Sequence, residues 1–253
     1  MSQPWEIYDA LLDGLPDDVV VRTAGQGPRW SRVLNSAGGV GTAWTMDVRS
    51  RPALSGDGPL DGRALRDVGA LAKSWNLAEA SIGQAAINSW YSREQTAAAN
   101  GFEPTGEGLT WRQVFDPYRE MIVGKRVAVI GHFPFAEAAL AGAGEYICLE
   151  RNLQPGDWPD SACEYVLPEC DLVFISSSSF VNKTAPRLIE LSRQAHTVLV
   201  GPSTPLNPVL LDYGVDTITG FIAASSLSDP ASLAEMVPAG DIGPGFRVHR
   251  HRA

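Results

Sequence analysis

Lys125-Arg-Val-Ala-Val-Ile130, Glu145-Tyr-Ile-Cys-Leu149, Asp171-Leu-Val-Phe-Ile175, Thr197-Val-Leu-Val200 and Asp216-Thr-Ile-Thr-Gly220 are five short apolar runs. Polar turns follow them, and helix-like segments fall between several. That alternation predicts a parallel, doubly wound sheet, whose ligand crevice lies at the carboxyl ends of its strands. The residues placed there are Gly131-His132-Phe133, Glu150-Arg151-Asn152, Ser176 to Thr184 and Gly201-Pro202-Ser203-Thr204-Pro205.

Composition narrows the class. Hydrophobic residues make up 44% of the 253, enough for a sizeable core in one large or two small domains. A net charge of −9 argues against a nucleic-acid surface, which needs clustered Lys and Arg. The one basic stretch, Arg247-Val-His-Arg-His-Arg252, is too short to reverse that. No apolar run reaches the roughly 18 residues of a membrane span. The start, Met1-Ser-Gln-Pro-Trp5, lacks the basic and apolar regions of a secretion signal, and Cys148, Cys163 and Cys170 form no disulfide framework. A soluble cytoplasmic protein is the expectation.

The first half has another rhythm. Trp5, Tyr8, Leu11 and Leu12 have the spacing of a short amphipathic helix, ended by Gly14 and Pro16. Strands are predicted from Val19, from Trp30 to Leu34, and from Val40 to Val48 after the Gly38-Gly39 turn, together an antiparallel meander. Ser50 to Gly62 is a loop. Leu65, Val68, Leu71, Ala72 and Trp75 line one face of a helix. A second runs from about Leu77 to Tyr91, with so many small residues, Ala80, Gly83 and Ala86 among them, that a neighbouring backbone must approach closely. Asn76 and Glu79 have the spacing of an N-cap and N3 pair. Asn100 to Gly108 is predicted as a linker and Thr110 to Met121 as a bridging helix. The domain boundary is placed near residue 105, giving units 1–105 and 106–253.

The segments Lys73-Ser-Trp-Asn-Leu-Ala-Glu-Ala-Ser-Ile-Gly83, Ala86-Ile-Asn88 and Tyr91 resemble the N-terminal signature of a known group. Gly124 to Pro134, Leu149-Glu-Arg-Asn152, Gly156-Asp-Trp-Pro-Asp-Ser-Ala162, Asn182-Lys-Thr184 and Leu199-Val-Gly-Pro-Ser-Thr-Pro-Leu206 are similar to its C-terminal motifs. This is the putative heavy-metal chelation family of prokaryotic two-domain proteins. The resemblance covers nearly the whole chain. It implies an α/β protein in which an α+β, enolase-N-terminal-like domain precedes a Rossmann-like domain with a mainly parallel sheet. A cleft between the two, and metal chelation, are implied with it.

The candidate residues each carry two readings. Gly131 permits close backbone approach to a ligand, but Gly131-His-Phe-Pro-Phe135 is a poor match to the dinucleotide fingerprint. Glu150 sits where a ribose-binding acid would stand, or else pairs with Arg151. Ser177 belongs to a serine-rich turn. Asn182, Lys183 and Thr184 either bind an anion at a helix start or satisfy their own turn. Pro202, Ser203 and Thr204 form a preformed binding edge or a merely rigid turn. His132 is the histidine placed at the crevice, as general acid or base, metal ligand or plain loop residue. Glu79 either accompanies Asn76 in capping or acts as an acid or metal ligand. Soft metals prefer thiolate and imidazole, yet no His pair has ligand spacing and Cys148 falls in a buried strand. The expected metal ligands are therefore His132 and Glu79. His249 and His251 read as surface residues, and His196 as the end of a helix.

Three functions remain open: a binding protein or enzyme holding a small polar or anionic ligand, a metal included, in the interdomain cleft; an enzyme with a nucleotide or S-adenosylmethionine cofactor; and an assembly role with the acidic first half as a homo-oligomer interface. Nucleic acid and membrane are not among the expected partners. No catalytic residue, and no cofactor beyond a metal ion or a nucleotide, is singled out.

Overall fold

The computed structural model describes residues 3–56, 58–106 and 111–252. Helix α1 (Glu6–Asp13) leads into an antiparallel meander, β1 (Val21–Gln26), β2 (Trp30–Asn35) and β3 (Val40–Trp44). Next come α2 (Leu65–Ala70), α3 (Leu77–Tyr91) and α4 (Glu94–Ala99), then β4 (Glu103–Pro104). The second half runs β5 (Arg126–Ile130), α5 (Ala136–Ala139), β6 (Glu145–Glu150), β7 (Trp158–Pro159), α6 (Cys163–Val166) and β8 (Leu172–Ser176). It continues with α7 (Ala185–Leu191), β9 (His196–Val200), α8 (Val209–Asp212), β10 (Thr217–Ala223), α9 (Pro230–Ala239) and β11 (Gly245–His251). No described helix is long and apolar enough to cross a membrane.

The large sheet has the order β4-β11-β10-β9-β8-β5-β6-β7. From β10 to β7 every pairing is parallel, and the chain starts at β5, moves outward through β6 and β7, then returns to β8. The reversal between β5 and β8 is the topological switch point of a Rossmann-like sheet, with a crevice at the strand ends. Val127, Ala128 and Val129 of β5, and Leu172 to Ile175 of β8, are buried, as expected of strands covered on both faces. The β10–β11 pair is antiparallel over seven residues, so the basic segment Arg247 to His251 is a strand with Arg247 and Val248 buried. Two-residue strands, β4 and β7, close the two edges, each ending in a proline.

Helix α3 is buried nearly all round, and its small residues are what allow this. A Cβ on Gly83 would lie 2.0 Å from the Ala72 amide nitrogen, and one on Gly41 of β3 would lie 1.9 Å from the Ala85 carbonyl oxygen. Polar contacts tie α3 to the meander: Asn88 Nδ2 donates to the Thr42 carbonyl at 2.8 Å, and Asn35 Nδ2 of β2 to the Ser89 carbonyl at 2.9 Å. One apolar cluster runs through both halves, from Ile7 and Leu11 to Leu199 and Val248. The Tyr8 hydroxyl crosses it to donate to the Phe180 carbonyl at 2.7 Å.

Several expectations shift. The predicted third strand stops at Trp44, after which the chain leaves the sheet. The helix predicted from Leu65 to Trp75 ends at Ala70 and tightens to a single turn over Leu71–Lys73. The bridging helix is instead two short turns, Trp111–Gln113 and Asp116–Tyr118, because Pro117 has no amide hydrogen for a helical ladder; its first residue, Thr110, lies outside the described residues. So do Glu107 and Gly108 of the predicted linker, whose Glu103 and Pro104 form β4. His196 opens β9 rather than ending a helix, and His249 and His251 lie on β11.

Gly83→Ala is expected to destabilise the protein by roughly 1–3 kcal/mol, since backbone must shift to admit the methyl group. Urea denaturation checks this; an unchanged midpoint would contradict the packing of α3 on the Leu71–Lys73 turn.

Candidate metal centre

At the ends of β5 and β6, parallel pairing sets Val129 beside Cys148 and Ile130 beside Leu149. Gly131 follows in the left-handed region at φ 99°, where Ser176 of the neighbouring strand end leaves no room for a Cβ. The chain thus turns His132 toward β6. Glu150 holds the turn: one carboxylate oxygen accepts the His132 N–H at 2.8 Å, the other those of Arg151 and Asn152 at 2.7 and 2.9 Å. Glu150 therefore organises its own loop, and the ribose role gains no support from it.

Asp157, in the loop before β7, completes the group. Its side chain is 4% exposed and accepts the Gln154 N–H at 2.9 Å. His132 Nδ1 lies 3.0 Å from Asp157 Oδ2, and Cys148 Sγ lies 4.0 Å from the same nitrogen. One donor atom from each of His132, Cys148 and Asp157 lies within 4.8 Å of the other two. A tetrahedral zinc site with ordinary bond lengths separates its ligands by about 3.3–3.8 Å, so small side-chain adjustments suffice.

The electrostatics differ between the donors. Burial, then the hydrogen bond to Asp157 and its charge, pushes the Cys148 thiol up to about 12. Burial alone would also raise the Asp157 carboxyl, but hydrogen bonds from Gln154, Cys148 and His132 outweigh it and hold the group below the usual carboxylate range. A carboxylate, a thiol and an imidazole thus face one another where a cation would bridge them. The donor set of sulfur, nitrogen and one oxygen suits a soft or borderline ion over Mg²⁺ or Ca²⁺.

The remaining predicted residues fall into two other groups. Ser177, Ser203 and Thr204 are buried in the seam between the halves. Ser203 N–H donates to Ser177 Oγ at 3.1 Å; Ser203 Oγ accepts the Trp44 N–H at 2.8 Å, and its carbonyl accepts Gln84 Nε2 at 3.2 Å. Thr204 Oγ1 donates back to the Gly201 carbonyl, and Pro202 between them is half-buried. Phe133 packs on Phe115 and Phe135.

The other group gathers at the start of α3. Asn76 Oδ1 accepts the Glu79 N–H at 3.2 Å, the expected cap. The Glu79 carboxylate does not close a reciprocal box; it accepts the N–H groups of Leu54 and Ser55 at 2.8 and 2.7 Å and pins the loop after β3. A cleft of about 160 Å³ beneath that loop, bordered by Gln26, Arg49, Asn76 and Glu79, is smaller than most small-molecule sites. Asn182 Oδ1 accepts from Thr184 N and Oγ1, and Lys183 between them lies near enough to Glu79 for their charges to interact. Glu79 and His132, expected to share a metal, thus lie in different constellations. Cys148 and Asp157, the residues that stand beside His132, were not the expected partners, although Asp157 lies in the motif Gly156 to Ala162 that carried the resemblance.

This is an α/β protein with a parallel-dominated sheet and a separate small antiparallel one, and the larger sheet gathers side chains of the types that could hold a metal ion. Two family models match the chain, over residues 8–91 and 113–247, both described as putative heavy-metal chelation. The chain belongs to that family. A crystal structure of a DUF364-family protein of unknown function from Desulfitobacterium hafniense is 36% identical, covers 98% of each chain and superposes with a TM-score of 0.85. One from Pyrococcus horikoshii is 22% identical over 98% of this chain and 99% of its own, TM-score 0.77, and shares the fold. No curated protein matches.

Burial would by itself raise the Glu79 carboxyl, but the hydrogen bonds from Leu54, Ser74 and Ser55 prevail and lower it. A group whose folded value is lowered stabilises fully above its unfolded value, and that contribution is lost as pH falls through the folded one. The loop is therefore held at neutral pH and released in acid. Glu79→Gln at neutral pH is expected to speed exchange of the Leu54 and Ser55 amides by about tenfold or more. Amide hydrogen exchange by NMR reads this, and unchanged rates would refute it.

Proposed function

We propose that this protein chelates a soft or borderline divalent ion, of the Zn²⁺ or Cd²⁺ kind, through His132 Nδ1, Cys148 Sγ and Asp157, with the ion as its cargo. The convergence of these three donors carries the reading, and membership of a family described by heavy-metal chelation supports it. Loading would displace the Cys148 thiol proton, since only the thiolate ligates. Three protein ligands leave a fourth position for water or a small polar or anionic ligand, which suits an ion that must also leave. Glu150 fixes the His132 main chain and Gln154 fixes Asp157, so both act behind the ligands.

Calorimetric titration with Zn²⁺ and Cd²⁺ is expected to show one saturable site per chain, with a thiolate-to-metal charge-transfer band for Cd²⁺. Cys148→Ser should abolish the band. His132→Ala and Asp157→Asn should each weaken binding at least tenfold, and Glu150→Gln by about 10–100-fold. Wild-type protein without saturable binding, or a Cys148→Ser protein that keeps the band, would overturn the reading.

A further inference from the structure

The chain contains three lysines among its 20 basic residues: Lys73, Lys125 and Lys183. Two have carboxylate partners. Lys73 is paired with Asp9 and stands 5.7 Å from the centre of the Trp5 ring, and Lys125 lies 3.3 Å from Asp171. Lys183 has no carboxylate within salt-bridge distance among the described residues. Its Nζ donates to the Val181 carbonyl at 2.9 Å and stands 5.6 Å from the centre of the Trp75 ring. It is also the one described non-glycine residue with positive φ, at 66°. Backbone strain of this kind persists where the surroundings impose it, and it gathers at functional positions. Here Asn182 imposes it, by binding both polar atoms of Thr184 across the lysine.

The surroundings are unusual for an ammonium group. Trp75, 58% exposed, meets Trp5 edge-on at 5.9 Å, so two indoles form an apolar ledge beside the amine. Glu79 contributes negative field from the start of α3, while its own oxygens are bound to the loop amides. None of these residues belongs to the donor cluster of His132, Cys148 and Asp157.

From this geometry we infer that Lys183 is a nucleophilic amine that condenses with a planar, conjugated aldehyde or ketone lying on the Trp75 ledge. The amine lone pair forms a C–N bond to the carbonyl carbon, whose oxygen takes up a proton to give a carbinolamine. That oxygen then leaves as water, and the imine remains. No oxidant or reductant is consumed. The protonated imine keeps a positive charge where the indole face and Glu79 already favour a cation. Desolvation is how proteins activate a lysine for this chemistry. Burial lowers Lys183 to about 8 against the opposing field of Glu79. The free amine is then far more abundant near neutral pH than for an unperturbed lysine.

The test uses the full chain with benzaldehyde as probe and cyanoborohydride, which delivers hydride to the imine carbon and fixes it as a secondary amine. Peptide mass spectrometry then compares the three lysines within one sample. At limiting aldehyde, Lys183 is expected to carry at least tenfold more adduct than Lys73 or Lys125. Lys183→Arg should remove that adduct without changing the other two. Lys183→Gly, which accepts positive φ without strain, should fold at least as stably and also lose it. Equal labelling of all three lysines, or preference for Lys73 or Lys125, overturns the inference. So does a Lys183→Arg protein whose total labelling is unchanged.

Discussion

The hydroxyl of Ser203 holds the seam on which the arrangement of the two halves depends. It sits at the end of β9, yet it accepts a hydrogen bond from the last residue of β3, while its own N–H and carbonyl engage Ser177 and Gln84. Each is a buried polar group that would cost free energy if left unpaired. The halves are therefore locked in one register, much as strands within a sheet are. Trp75 and Glu79 from one half and Lys183 from the other can meet only because this register is kept. The donor cluster of His132, Cys148 and Asp157 is built from β5, β6 and one loop, and needs no such alignment.

Two groupings of polar side chains thus stand in one molecule at different levels of organisation. At the cluster, burial and the hydrogen bond to Asp157 keep the proton on the Cys148 thiol, which a metal would strip. At the seam, burial works the other way and leaves an amine short of a counter-charge. Both follow from a polar group removed from water with incomplete compensation. Each stands at a residue with positive φ: Gly131 in the first case, Lys183 itself in the second.

The central strands were legible because a strand covered on both faces must be apolar throughout; β5, β6, β8, β9 and β10 lie where the apolar runs lie. The close approach at α3 was legible from Gly83 and its alanine neighbours. Strand β11 was not, since Arg247-Val-His-Arg-His251 has the composition of a solvated tail and only its pairing with β10 buries it. The cluster was half legible. His132 follows the strand where a site belongs, but Cys148 reads as core because burial and ligation use the same residue type, and Asp157 hides in an exposed loop. Lys183 was visible as a cation in a polar turn. Its want of a carboxylate partner shows only when distant segments meet, and its positive φ only in the turn that Asn182 and Thr184 close around it.

The sheet's two borders carry one further consequence. An open β edge offers a ladder of free amides to any passing strand, including one from another copy. Here each border strand is two residues long and ends in proline, Pro104 on one side and Pro159 on the other, and proline has no amide hydrogen to offer. The loop that supplies Asp157 is therefore also the stopper on its side of the sheet. Shortening it, or exchanging Pro159 for a strand-forming residue, would expose a growing point for fibre-like stacking of folded molecules, independent of any change in metal affinity.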